Sequence, residues 1–307
     1  MTRAVRFDQY GGADVLTVVD VPDPVAGPGQ VVVAVKAAGI NPGEAKIRAG
    51  MLHDRWPATF PSGEGADLAG VVESVGDGVS AFAPGDEVLG WVETRSSHAD
   101  RVLVPATDLA PKPAGLSWEV AGSLFVIGST AWAAVRAVAI RSGDTVVVAG
   151  AAGGVGSLAV QLVKREGALT IGLAGEANHG WLRKHGVVPV LYGDGVGQRI
   201  REAAGDKGVD AFIDLIGGGY VDLALELGVP ADRIDTIADF AAISTHGVKG
   251  DGSAAGSSAE VLAELAGLIA GGEVEVPIAR LYPLEEVGDA YRELELGHTH
   301  GKIVLVP

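Results

Sequence analysis

Thr145–Lys164 reads TVVVAGAAGGVGSLAVQLVK. The run Thr145–Ala149 is continuously apolar after its first residue, the pattern of a strand buried on both faces of a parallel sheet. It enters Gly150-Ala151-Ala152-Gly153-Gly154-Val155-Gly156, and an apolar helix is predicted to begin near Val155. Small residues here let the backbone approach a pyrophosphate, whose charge meets free N–H groups at the positive end of a helix. Gly156 would also let that helix pack closely on the strand. A glycine pattern alone is common. Strand, loop and helix in this order make the stretch a dinucleotide-binding candidate, against the plain alternative of an ordinary strand-to-helix turn.

Moving outward, further strands are expected at Leu169–Ala174, Val188–Leu191, Ala211–Ile216 and Arg233–Ala238, alternating with helical segments. That alternation predicts an α/β fold, a doubly wound parallel sheet with helices on both sides. The texture before Pro111–Pro113 differs. Gln30–Ala38, Leu68–Val75 and Glu87–Trp91 are short strand-like runs separated by Gly/Pro turns, which suggests a small antiparallel barrel. A helical pattern starts at Trp118, a later helix is expected at about Ser258–Ala270, and a closing strand at Lys302–Val306. Gly250–Ser258 reads as a flexible connection.

Composition narrows the functional classes. Lys+Arg 23 against Asp+Glu 39 gives −16, which repels a polyphosphate at long range and argues against nucleic acid as a partner. The 48% hydrophobic content over 307 residues excludes disorder and suffices for one large or two medium domains. The absence of cysteine removes disulfides, thiolate nucleophiles and Cys-ligated zinc or iron–sulfur clusters. The start, MTRAVRFDQYGG, has no apolar run of signal-peptide length, and no uncharged apolar stretch reaches the roughly 20 residues of a membrane span. A cytoplasmic protein without membrane association is the expectation.

Gly143-Asp144-x-x-Val147, Ala151-Ala152-Gly153-Gly154-x-Gly156, Gln161 and Lys164 together resemble the signature of quinone oxidoreductases, zinc-independent members of the medium-chain dehydrogenase/reductase superfamily. Asn41-Pro42-Gly43-Glu44-Ala45-Lys46-Ile47-Arg48-Ala49-Gly50 is similar to that family's Asn-Pro-x-Asp-x-Lys-x-Arg-x-Gly segment, with Glu for Asp. Phe60-Pro61, Gly65, Asp67 and Ala69-Gly70-Val71-Val72 resemble the next barrel strand, and Gly301-Lys302-Ile303-Val304-Leu305 the C-terminal strand. The resemblance implies a GroES-like β-barrel catalytic domain at 1–112, a Rossmann NADP-binding domain at 113–247, and a return to the catalytic domain at 248–307. It also implies a homodimer.

Zinc-dependent relatives carry Cys at the position of Asn41 and Gly-His-Glu near the second barrel segment. Here Ser62-Gly63-Glu64-Gly65 has the Glu without the His, so no metal is expected. His298-Thr299-His300 is read as a polar turn. Readers of NAD usually place an acid at the end of the second strand. Here that strand ends Leu173-Ala174-Gly175, with Glu176 one step beyond. Ala174–Leu182 resembles an NADP-reading loop, although Ala177 replaces an Arg often found there. NADPH is therefore favoured, with Ala174, Asn178, His179, Tyr192, Arg183 and Lys184 as candidates around its adenosine end. Thr130 and Ile216 are the corresponding candidates for the nicotinamide half, Thr130 having a helix cap as its alternative role.

Asn41 is the catalytic candidate, its amide binding the acceptor oxygen, and its alternative role is to shape the turn before Pro42. Lys46 and Arg48 are candidates to orient a polar substrate. Met51, Leu52, Trp56 and Phe60 are candidates for an apolar substrate wall, or for ordinary core. The expected function is NADPH-dependent hydride transfer to a quinone or a carbonyl-conjugated alkene. The alternatives are an alcohol dehydrogenase or aldehyde reductase, which needs an acid that no residue evidently supplies, and a non-catalytic NADPH sensor.

Overall fold

A computed structural model describes Met1 to Pro307. The chain forms two compact units, Met1–Val126 with Ser258–Glu273 and Pro277–Pro307, and Ile127–Ser257 with Val274–Val276.

The second unit is built on a five-stranded parallel sheet ordered Val188–Leu191, Leu169–Ala174, Thr145–Ala149, Ala211–Asp214, Ile234–Thr236. Thr145–Ala149 lies at its centre with every residue buried, which explains why the run needs no polar alternation. Val147, Ile171, Leu173, Ile200, Phe212 and Ile234 form its core. Register decides where ligands can bind. Ala149 is level with Leu173 and Asp214, and Ala174 with Leu191. Gly150, Gly175, Tyr192 and Leu215 therefore leave the sheet along one carboxyl edge, where open α/β sheets bind their ligands.

Two expected strands end early. Ala211–Ile216 stops at Asp214, whose Oδ1 accepts the N–H groups of Ile216 (3.0 Å) and Gly217 (2.8 Å) and bends the chain out of the ladder. Arg233–Ala238 is reduced to Ile234–Thr236, because Thr236 Oγ1 accepts from the amides of Ala238 and Asp239. The Gly250–Ser258 stretch is also not a loose connection. It contains the helical turn Ser253–Gly256, and a Cβ on buried Gly256 would lie 2.3 Å from the Ser129 carbonyl.

The first unit is the barrel-like part. Its larger sheet runs Ile278–Pro283, Lys302–Val306, Gln30–Gly39, Asp67–Val75, Glu87–Trp91, Leu109–Pro111, with Arg101–Pro105 also paired to Gln30–Gly39. A smaller sheet joins Thr17–Val21, Thr2–Phe7 and Ser62–Gly63. Alternate valines of Gln30–Gly39 pack on Leu68, Val72, Val88, Val102 and Val104. The C-terminal strand pairs Val304 with Gly39 and Leu305 with Ala38, which carries Lys302 to the chain just after Gly39. There Asn41 opens the short helix Pro42–Arg48, with proline at its first position and Glu44 accepting the Asn41 backbone N–H at 2.8 Å. No helix in the molecule is long and apolar enough to cross a membrane.

Candidate active-site residues

The glycine loop has the geometry of an anion cradle. Gly150 leaves the central strand with φ +79, and Gly153 caps helix Gly154–Arg165 with no side chain to satisfy the first-turn N–H groups. A Cβ on Gly156 would sit 2.0 Å from the Gly150 carbonyl oxygen and 2.8 Å from Ala151 Cα. Only glycine permits that approach of helix to strand. Gly153 is different, since a Cβ there would meet only the Gly150 oxygen at 3.6 Å and otherwise open space. Helix N–H groups facing an open, glycine-lined loop fit the charge and width of a pyrophosphate.

The other nucleotide candidates emerge from the same sheet edge. Ala174 is buried at its strand's end, and Glu176 begins an exposed 3-10 turn, Glu176–Asn178. His179 Nε2 lies 3.2 Å from the Ala174 carbonyl, so this imidazole nitrogen braces the turn. Asn178 is half-buried and provides no side-chain cap to the following helix. Tyr192 is 47% exposed, and its hydroxyl lies 3.6 Å from where a Gly175 Cβ would stand. Lys184 is paired with Glu275 at 3.5 Å, whereas Arg183 is exposed. Ile216, 59% exposed, covers Gly150, whose Cβ would approach Ile216 Cδ1 to 2.8 Å. Thr130 is buried in the interior of helix Leu124–Ala137, not at its start, so the helix-cap alternative is withdrawn.

The barrel unit holds a buried polar cluster that only partly matches expectation. The two Asn41 Nδ2 hydrogens donate to Glu44 Oε1 (3.2 Å) and Asp67 Oδ2 (3.0 Å), and Asn41 Oδ1 accepts from Lys302 Nζ at 2.6 Å. No amide N–H is left to donate to a substrate oxygen. Lys302 also donates to the Ile40 carbonyl at 2.8 Å, and Tyr291 Oη to Glu44 Oε2 at 2.8 Å. Glu44 and Asp67, not Glu64, are the carboxylates beside Asn41. Glu64 instead accepts from Arg48 at 2.5 Å.

Arg48 is fully buried, bound also to Glu295 at 3.0 Å and stacked over Tyr291 at 4.3 Å. It is therefore unavailable to orient a substrate. Glu44, Glu64 and Asp67 face two buried cations, Arg48 and Lys302. Burial pushes the Glu64 carboxyl up to about 8 against the pull of Arg48, and raises Asp67 against that of Lys302. Burial likewise drives His98 down to about 4; its Nε2 lies 3.3 Å from the Gly39 carbonyl and its Nδ1 is unpaired.

Lys46 is exposed, as are Met51 (72%) and Trp56 (37%) on the segment following the helix. That segment is fastened by Tyr10, whose hydroxyl lies 2.7 Å from His53 Nδ1 and accepts the Ala58 N–H at 2.9 Å. Asp67, Lys302 and Tyr291 were not anticipated as one cluster. The available signal was Lys302 itself: a lysine opening the apolar strand KIVLV demands a buried acceptor.

Residues 27–113 match the family model of the alcohol dehydrogenase GroES-like domain, and residues 189–305 that of zinc-binding dehydrogenase. The chain is 31% identical over 326 residues to a quinone oxidoreductase of Rattus norvegicus, covering 99% of this chain and 96% of the relative. Among solved structures it resembles Escherichia coli quinone oxidoreductase complexed with NADPH, with TM-score 0.86, 27% identity and 100% of each chain covered. It is equally similar to an NAD-dependent alcohol dehydrogenase, with TM-score 0.88, 29% identity and 99% of each chain covered. The second family description raises zinc, but the donor set does not suit it. No three His, Cys, Asp or Glu side chains are arranged to hold a metal, and around Asn41 the Lys302 ammonium takes the cation's place among the oxygens.

Proposed function

Because the chain belongs to the medium-chain dehydrogenase/reductase superfamily, among its quinone oxidoreductase-like members, we propose that it is an NADPH-dependent, zinc-independent reductase of quinones or carbonyl-conjugated alkenes. The observation that carries this reading is the open loop at Gly153 over an uncapped helix start, on the same sheet edge as Gly175, Tyr192 and Ile216. When bound, NADPH supplies the hydride. The amides of Gly154, Val155 and Gly156 receive the pyrophosphate, with Gly150, Ala151, Ala152 and Gly153 giving it room. Tyr192, Asn178 and Arg183 serve the adenosine end, where the second strand closes on neutral Ala174 and the nearest carboxylate, Glu176, stands beyond Gly175 on the following turn. Thr130 and Ile216 flank the nicotinamide half.

In this reading Lys46, Met51 and Trp56 face the acceptor. Asn41 acts as scaffold, since donating to substrate would take from Asp67 or Glu44 one of the hydrogen bonds that each accepts in the interior. Both proposed acceptor classes are electron-poor and accept hydride without a Lewis acid. Resemblance to the family also supports a homodimer, which sedimentation would test. NADPH and NADH oxidation with a quinone, an enone and an aldehyde tests the function. The proposal expects turnover with the first two, faster with NADPH; turnover of the aldehyde alone would move the chain to the dehydrogenase reading.

A further inference from the structure

The turn between strand Val188–Leu191 and helix Val196–Ala204 is held by one side chain. Arg199 Nε donates to the Leu191 carbonyl at 2.9 Å, Nη1 to Asp194 at 2.8 Å, and Nη2 to Tyr192 (3.3 Å) and Gly193 (3.2 Å). Four consecutive carbonyls thus converge on a single guanidinium. The turn has little stiffness of its own. Gly193 and Gly195 both have positive φ, at +92 and +76, and residues 191–195 are all exposed. The planar fork of arginine supplies donors in several fixed directions, which a lysine ammonium cannot reproduce at four acceptors.

Tyr192 is the first residue of this turn, half-exposed, with its hydroxyl 3.6 Å from where a Gly175 Cβ would stand. We propose that Arg199 is a positioning residue for the adenosine end of the cofactor: by clasping the carbonyls on both sides of Tyr192, it holds the phenol over Gly175 in the orientation that receives a 2′-phosphorylated ribose. The inference rests on the NADPH reading above and adds to it the element that makes Tyr192 selective. Arg199 acts through Tyr192. If release lets the turn spend a tenth of its time in the competent geometry, apparent affinity falls about tenfold.

The experiment is a double-mutant cycle on the full chain, with Arg199→Lys, Arg199→Ala, Tyr192→Ala and the Arg199→Ala/Tyr192→Ala pair. Isothermal titration uses NADPH, NADH and 2′,5′-ADP, with thermal unfolding in parallel. Both Arg199 variants are expected to weaken NADPH and 2′,5′-ADP about tenfold while changing NADH less, and the double variant should bind no worse than Tyr192→Ala. Arg199→Lys serves the same test should the alanine variant fold poorly. Losses that add in the double variant would overturn the proposal, because Arg199 would then act independently of Tyr192. Unchanged 2′,5′-ADP binding by Arg199→Lys would overturn it as well. A parent chain that binds neither NADPH nor 2′,5′-ADP would instead remove the cofactor reading on which it rests.

Discussion

Gly153, at the helix N-cap, and Gly156, in the first turn of the helix, lie three residues apart, yet substitutions there should fail in different ways. At Gly153 φ is −74 and an added Cβ meets only one oxygen, at 3.6 Å, so a side chain fits the folded protein and projects into the open cradle. Gly153→Val should cost about 0.5–1 kcal/mol, the loss of a favourable N-cap residue. Gly156→Ala places a methyl 2.0 Å from a backbone oxygen and 2.8 Å from a Cα, neither of which can rotate away. Glycine to alanine within a helix ordinarily gains about 1 kcal/mol. Here the clash should reverse the sign and destabilise by about 1–3 kcal/mol.

Binding separates the two effects. A side chain at 153 occupies the space meant for pyrophosphate, so NADPH affinity should fall at least about tenfold, or about 1.4 kcal/mol. Ligand stabilisation should shrink in step: a concentration 100 times the parent Kd gives about 2.7 kcal/mol to the parent and about half that to a tenfold-weaker variant. Chemical denaturation with and without NADPH measures both quantities on one preparation. A Gly153→Val protein that folds normally and titrates like the parent would remove the loop from the cofactor site.

Three further outcomes are expected. Asn41→Ala should lose about 2–3 kcal/mol of stability, because Lys302, Asp67 and Glu44 each lose a partner in the interior; a rate loss of about 10²–10³ at unchanged stability would instead make it an oxyanion donor. Glu64 keeps its proton up to about 8 in the fold, against 4.5 unperturbed, so its contribution is complete below 4.5 and disappears as pH rises through 8. Unfolding free energy should accordingly drop between pH 6.5 and 8.5, with Glu64→Gln flattening the decline. His98 works in the opposite direction, its contribution present above 6.5 and lost as pH falls toward 4. Dialysis against a chelator should leave reductase activity intact; activity lost to the chelator and restored by Zn²⁺ would contradict the donor-set argument.

The parallel sheet was legible because its signal is local. Thr145–Ala149, Leu169–Ala174 and Val188–Leu191 are apolar runs whose limits coincide with the observed strands. The apolar pattern Ala211–Ile216 overruns the strand by two residues, since Ile216 is apolar and only the side-chain bonds of Asp214 reveal the exit. The polar cluster was illegible for a different reason. Asn41, Asp67, Tyr291 and Lys302 are brought together by pairing of the last strand with Gln30–Gly39, a contact between chain ends that no spacing encodes. Arg48 illustrates the limit most sharply. An arginine in a helix of seven residues suggests a surface charge, yet Glu64, Glu295 and the Tyr291 ring hold it in the core. Arg199 carried no sequence signal either, because its partners are backbone carbonyls.

The central claim is that this chain binds NADPH and moves its hydride to an electron-poor acceptor. A single-turnover reaction with NADPH deuterated at both C4 positions and an enone acceptor tests it directly, with the carbon-bound deuterium of the product read by mass spectrometry. The account predicts one deuterium per reduced enone and a slower transfer than with unlabelled NADPH. A reduced product without carbon-bound deuterium, or tight NADPH binding with no reduction of either enone or quinone, would contradict it.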